Sequence, residues 1–169
     1  MTGQPRTKKG VAVAKSPTDV LQEFLAGAFD PERLEDVAER LVAEDATYVS
    51  LNFDDPDLAR LMPWTGTKHG RQAFIDNFAG VRRSWTNEAF EATDVLSDGE
   101  RVALFGTFTL RSVSLGKAAT SPVAVLAKVA DGRITYFQYM EDTFATARTF
   151  RSGGTWTIHA DPTGDPIEV

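Results

Sequence analysis

The chain has no cysteine, which removes disulfides, thiolate nucleophiles and zinc–thiolate sites at once. Its two histidines, His69 and His159, are too few for a multi-histidine metal centre, so no metal site is expected. No apolar run approaches the length of a membrane span, and the N-terminus lacks the apolar segment of a signal peptide. The expected setting is the cytoplasm, away from membranes. Positive charge is also scarce: the net charge is -6, and four of the bases, Arg6, Lys8, Lys9 and Lys15, sit in the first sixteen residues. An acidic body disfavours nucleic acid, whose phosphates require a basic surface.

What remains is an ordinary globular composition, with 42% hydrophobic and 25% charged residues spread over 169 positions. That length suits one domain with its own core. Residues 1–15 have no sustained period and read as a disordered basic arm, residues 16–160 as a single domain, and residues 161–169 as a frayed acidic tail.

Helix signals come first along the chain. Ser16-Pro17-Thr18-Asp19 combines an N-cap hydroxyl, a proline at the first helical position and an acid in the first turn. Val20, Leu21, Phe24, Leu25 and Ala28 follow at helical spacing. Asp30-Pro31 opens a second helix with Leu34, Val37, Ala38, Leu41 and Val42 as its stripe. Ala46–Leu51 reads as a short strand, 52–63 as an acidic loop, and Gly70–Trp85 as a third helix carrying Ala73, Phe74, Phe78 and Val81.

Beyond Phe90 the pattern changes to strands divided by Ser97-Asp98-Gly99, Leu115-Gly116-Lys117 and Asp131-Gly132. Four strands are predicted at 88–96, 101–114, 118–130 and 133–141, with an edge strand at Thr155–His159. Short turns between them imply antiparallel pairing. Helices followed by strands make an α+β domain, with three N-terminal helices packed on one face of a curved sheet.

Two motifs add a resemblance. Pro63-Trp64-Thr65-Gly66-Thr67-Lys68-His69-Gly70 with Phe74 and Phe78, and Asp131-Gly132-Arg133-Ile134 with Asp142-Thr143, are similar to the loop-to-helix and closing-strand patterns of the nuclear transport factor 2-like superfamily. SnoaL-like polyketide cyclases, ketosteroid isomerase, limonene epoxide hydrolase and scytalone dehydratase belong to that group. The resemblance spans about residues 17–150 and implies a cone-shaped sheet wrapped around the helices, enclosing one pocket, often in a homodimer formed through the outer sheet face. It does not imply one activity, because this scaffold hosts unrelated chemistries.

Matched residue by residue, the catalytic sets of the group are incomplete here. Ser50 stands at the position of the ketosteroid isomerase base. Limonene-epoxide-hydrolase-like chemistry finds Tyr48, Asn52, Arg111 and Asp142, but Val113 replaces the second Asp. No histidine falls on a pocket strand for scytalone-dehydratase-like chemistry.

A SnoaL-like isomerase, cyclase or hydratase needs one buried acid or base and no cofactor. Asp142 is the expected candidate, with capping of the following short helix, Thr143–Thr149, as its alternative role. Its neighbour Glu141 is expected to face solvent or a subunit contact. Tyr48, Asn52, Trp64, Arg111 and Gln138 are the expected ligand-binding set, around a small hydrophobic or aromatic molecule. A non-catalytic ligand-binding or association module would use the same pocket.

Overall fold

Residues 15–169 are described in the computed structural model of the chain. The expected basic arm therefore lies outside the described residues, except Lys15, which pairs with Glu23.

Helix α1, Pro17–Ala28, starts as its sequence dictates. Ser16 Oγ accepts the Asp19 amide at 3.2 Å while the Ser16 amide donates to Asp19 Oδ2 at 3.1 Å, a reciprocal cap that satisfies two orphan donors. Helix α2, Leu34–Leu41, begins later than the Asp30-Pro31 signal because residues 31–33 form a turn, with Asp30 Oδ1 accepting the Glu32 amide at 2.9 Å. The two helices touch at Gly27, where a Cβ would come within 2.5 Å of Val37 Cγ1. Glycine is required there by close approach.

Strand β1, Val42–Ser50, follows without a loop. The expected loop at 52–63 contains a further helix, α3, Pro56–Leu61, capped by Asp55, whose Oδ1 accepts the amides of Asp57 and Leu58. Among the described residues, the three expected helices and the short α3 thus precede the long strands. Strand β2, Gly66–His69, leads into helix α4, Arg71–Ser84, and then come β3, Trp85–Asp98; β4, Arg101–Ser112; β5, Ala118–Ala130; and β6, Arg133–Glu141. Helix α5, Thr143–Ala147, continues into a 3-10 turn at Arg148–Phe150.

The six strands are ordered β2-β1-β6-β5-β4-β3. All pairs are antiparallel except β1 with β6, which run parallel, Tyr48 opposite Phe137 and Ser50 opposite Tyr139. Strand β3 is bulged between Asn87 and Ala89 and again between Ala92 and Asp94. At the second bulge Gly106 lies so close that a Cβ would sit 2.0 Å from Glu91 O. Bulges bend and twist a strand, and these bring β3 round as the outer wall of the cone.

The core gathers Phe24 from α1, Tyr48 from β1, Phe74 and Phe78 from α4, and Phe137 from β6. Phe137 stacks on Tyr48 at 5.3 Å and meets Phe24 edge-on at 5.9 Å. Among the described residues, no helix is long and apolar enough to cross a membrane. The strand expected at Thr155–His159 forms as β7, Thr157–Ile158, but it joins no edge of the main sheet: it pairs with β8, Ile167–Glu168, in the tail where fraying was expected, and Arg151 Nη2 donates to Val169 O at 2.8 Å. The terminal carbonyl gives the last residues an anchor that composition does not reveal.

Candidate functional site

A cavity opens between the sheet and helices α1 and α4. Tyr48 and Ser50 reach it from β1, Tyr139 and Glu141 from β6, and Phe108 from β4, while Trp64 and Trp85 close one side with rings 5.0 Å apart. The space amounts to about 480 Å³ with its open mouth included. Only about 30 Å³ is wide enough for water, roughly two molecules. Phe29, Asn87 and Phe90, at the mouth, also wall a larger groove of about 750 Å³ between α1 and β3. A ligand larger than water must therefore displace lining side chains.

Period-two alternation explains the polar end. Phe137, Tyr139 and Glu141 share the inward face of β6, alongside Tyr48 and Ser50 on β1. Burial pushes the Glu141 carboxyl up to about 7, opposed by the donated Thr146 hydroxyl and reinforced by the nearby Asp142 charge. Thr146 Oγ1, fully buried, stands 2.8 Å from Glu141 Oε1. Burial raises the Tyr48 phenol as well, with the Ser50 hydroxyl acting in the opposite direction and the Glu141 charge adding to the rise. Tyr139 is raised well above the usual phenol range by burial, then by Glu141 and Tyr48. Both phenols stay protonated in neutral solution, and the carboxyl beside them changes charge there. A carboxyl poised near neutrality can take and return a proton, and neutral phenols can hydrogen-bond an oxygen that becomes negative.

Thus the place expected for Asp142 belongs to Glu141. Asp142 follows the strand and caps α5, its Oδ1 accepting the Ala145 amide at 3.0 Å and its own amide donating to Ser121 Oγ at 2.9 Å. Its carboxylate is committed to backbone and does not line the cavity. Glu141, expected outside, is turned inward because alternation carries it two positions beyond Tyr139. Helix α5 serves both acids, through its amide end for Asp142 and through Thr146 for Glu141. The following turn is tied to the wall by Trp85 Nε1, which donates to Thr149 Oγ1 at 2.8 Å.

The remaining expected residues divide. Tyr48 and Trp64 line the cavity. Asn52 lies outside it in the loop after β1, where its Oδ1 accepts the Phe53 amide at 2.8 Å. Arg111 is on the outer surface of β4, held by Glu88 at 2.6 Å and by Gly116 O at 2.7 Å. Gln138 shares the outer face of β6 with Tyr136 and Met140, and its Oε1 accepts the Tyr136 hydroxyl at 3.0 Å. For these three, alternation or a local partner takes the side chain away from the cavity. The residues missed were Tyr139, Glu141 and Thr146; the signal for the first two was their spacing of two and four from Phe137.

Comparison with known proteins gives the geometry its relatives. A sequence model described as a SnoaL-like domain matches residues 21–137. Patulin synthesis protein F of Aspergillus clavatus is 44% identical over 141 residues, which are 82% of this chain and 70% of that protein. Among solved structures, an NTF2-like protein from Burkholderia thailandensis superposes with a TM-score of 0.66 at 18% identity, over 81% of this chain and 98% of the other. TerC, co-crystallised with polyporic acid, superposes at 0.63 with 21% identity, over 81% and 100% of the two chains.

Proposed function

Because this chain belongs to the SnoaL-like domain family, within the nuclear transport factor 2-like superfamily, we propose that it performs cofactor-independent acid/base chemistry on a small, largely apolar molecule. The observation that carries this reading is Glu141, a carboxyl poised near neutrality at the end of an apolar cavity and flanked by two neutral phenols. In an isomerisation, Glu141 removes a proton from carbon next to a carbonyl. The electron pair moves onto the carbonyl oxygen, which Tyr48 and Tyr139 stabilise, and the protonated Glu141 returns its proton to a different carbon. Cyclisation and water addition use the same transfers. Asp142 supports the strand end and takes no part in proton transfer.

The name of the Aspergillus relative supports a substrate from the synthesis of a patulin-like small metabolite. The test is replacement of the matching segment of that relative, in an Aspergillus clavatus strain lacking protein F, by this chain. Patulin production should return with the wild-type chain and with Asp142→Asn, since asparagine also caps helices. With Glu141→Gln at equal protein level, turnover should fall about 100-fold or more. Full production by Glu141→Gln would leave a ligand-binding role and remove the proton-transfer role; no production by the wild-type chain would remove the patulin-type substrate.

A homodimer through the sheet fits the outer face. Phe105, Ala124 and Met140 are register neighbours across β4, β5 and β6, and Phe105 and Met140 are 46% and 47% exposed. Sedimentation of the wild-type chain should report a dimer and that of Phe105→Glu a monomer; an unchanged species in the variant would move the interface elsewhere.

A further inference from the structure

We propose that Arg82 is an anion-binding residue at the mouth of the Glu141 cavity, and that the substrate carries a carboxylate at the end away from Glu141. This rests on the proposed acid/base reading and adds a substrate class to it. Arg82 occupies the last turn of α4 and lines a cleft with Phe29, Val81, Trp85, Asn87 and Leu110. Those five residues also line the cavity that ends at Glu141, so the cleft is its continuation.

Arg82 lines this cleft, and its Nη1 is buried with no hydrogen-bond partner among the described residues. Several other arginines are engaged: Arg111 by Glu88, Arg40 by Asp36 and Glu23, Arg71 by Val42 O, and Arg133 by Glu39 O. A guanidinium keeps its charge in a protein, so burial of one of its donors without an acceptor is costly unless a ligand supplies one. A carboxylate is the natural acceptor, matching the planar fork of the guanidinium.

The surroundings favour this assignment over a general attraction to anions. The chain as a whole is acidic, with a net charge of -6, and repels anions at long range. Selectivity must then come from a local cation in a low-dielectric wall, and Phe29, Val81, Trp85 and Leu110 supply the wall around Arg82. The arrangement also orients the molecule. Its charged end is held at the α4 side, and its uncharged reactive part points inward to Tyr48, Tyr139 and Glu141, where a second negative charge would be unwelcome.

The experiment uses benzoate and its neutral amide, benzamide, as probes titrated into the full chain. Binding is followed by tryptophan fluorescence, because Trp64 and Trp85 line the cavity. Wild-type protein should bind benzoate about tenfold or more tightly than benzamide at low salt, and Arg82→Gln should lose about tenfold in benzoate affinity with benzamide little changed. Arg82→Lys should keep part of the preference, which separates charge from fold. Equal affinities in the wild type, equal losses for both probes in Arg82→Gln, or no benzoate binding up to about 20 mM would each overturn the proposal. Binding needs no proton transfer, and Glu141→Gln should keep the benzoate preference, so failure here leaves the role of Glu141 to the patulin test.

Discussion

Glu141→Gln is expected to make the protein more stable than the wild type at pH 8 by roughly 3 kcal/mol, and to leave stability nearly unchanged at pH 4. The folded-state carboxyl is pushed up to about 7 from an ordinary value of 4.5. Below 4.5 the group is protonated in folded and unfolded chains alike and contributes nothing. Between 4.5 and 7 the folded protein retains a proton that the unfolded chain releases, so stability falls as pH rises. Above 7 the carboxylate is ionised in both states and the cost of its burial is fully felt. A difference of about 2.5 between the two pKa values, at about 1.4 kcal/mol for each, gives the stated magnitude. Glutamine is neutral throughout and its carbonyl can still accept the Thr146 hydroxyl. Urea unfolding of both proteins from pH 4 to pH 8 isolates this one group, because every other titration is shared. A constant difference between the two curves would show that Glu141 is not held in an apolar setting.

Phe137→Ala should cost about 3–5 kcal/mol, enough to lower the melting temperature by roughly 6–20 °C. Phe137 is completely buried and is the ring at which three elements meet. It stacks on Tyr48 of β1, takes the edge of Phe24 from α1, and approaches Phe74 and Phe78 of α4 at 5.9 and 6.2 Å. None of these side chains can close the gap without leaving its own partners, so the cavity term adds to the lost transfer energy. Phe137→Leu should recover about half or more of the loss by refilling the space. A cost below about 1 kcal/mol for the alanine variant, read from the urea midpoint, would mean that the aromatic cluster collapses readily.

Local chemistry made much of the architecture legible. Ser16, Pro17 and Asp19 mark the start of α1 to the residue, and the turns at Asp98-Gly99 and Asp131-Gly132 delimit β4, β5 and β6 closely. What escaped were features that depend on distant partners or on a choice of face. Alternation separates Tyr136, Gln138 and Met140 from Phe137 and Tyr139, but does not say which set looks inward. Continuing the count by two would have placed Glu141 with Tyr139. The cap motif at Asp142-Thr143 is equally local, yet a helix cap and a catalytic acid have the same sequence appearance. Arg82 and Arg111 are alike as isolated residues. Only the fold brings Glu88 to Arg111 and leaves a buried nitrogen of Arg82 without an acceptor among the described residues.

The parallel pairing of β1 with β6 has a consequence for synthesis. Tyr48 and Ser50 are made early, whereas Tyr139 and Glu141 emerge only after residues 51–132 have been translated. At about 5–20 residues per second, the inner edge of β1 waits roughly 4–16 s for its partner. During that interval β2 can protect one edge of β1, but the other presents unsatisfied backbone groups to its surroundings. The two sides of the cavity's polar end therefore meet at the last closure of the sheet, and a nascent chain lacks that end of the cavity until the seam is sealed.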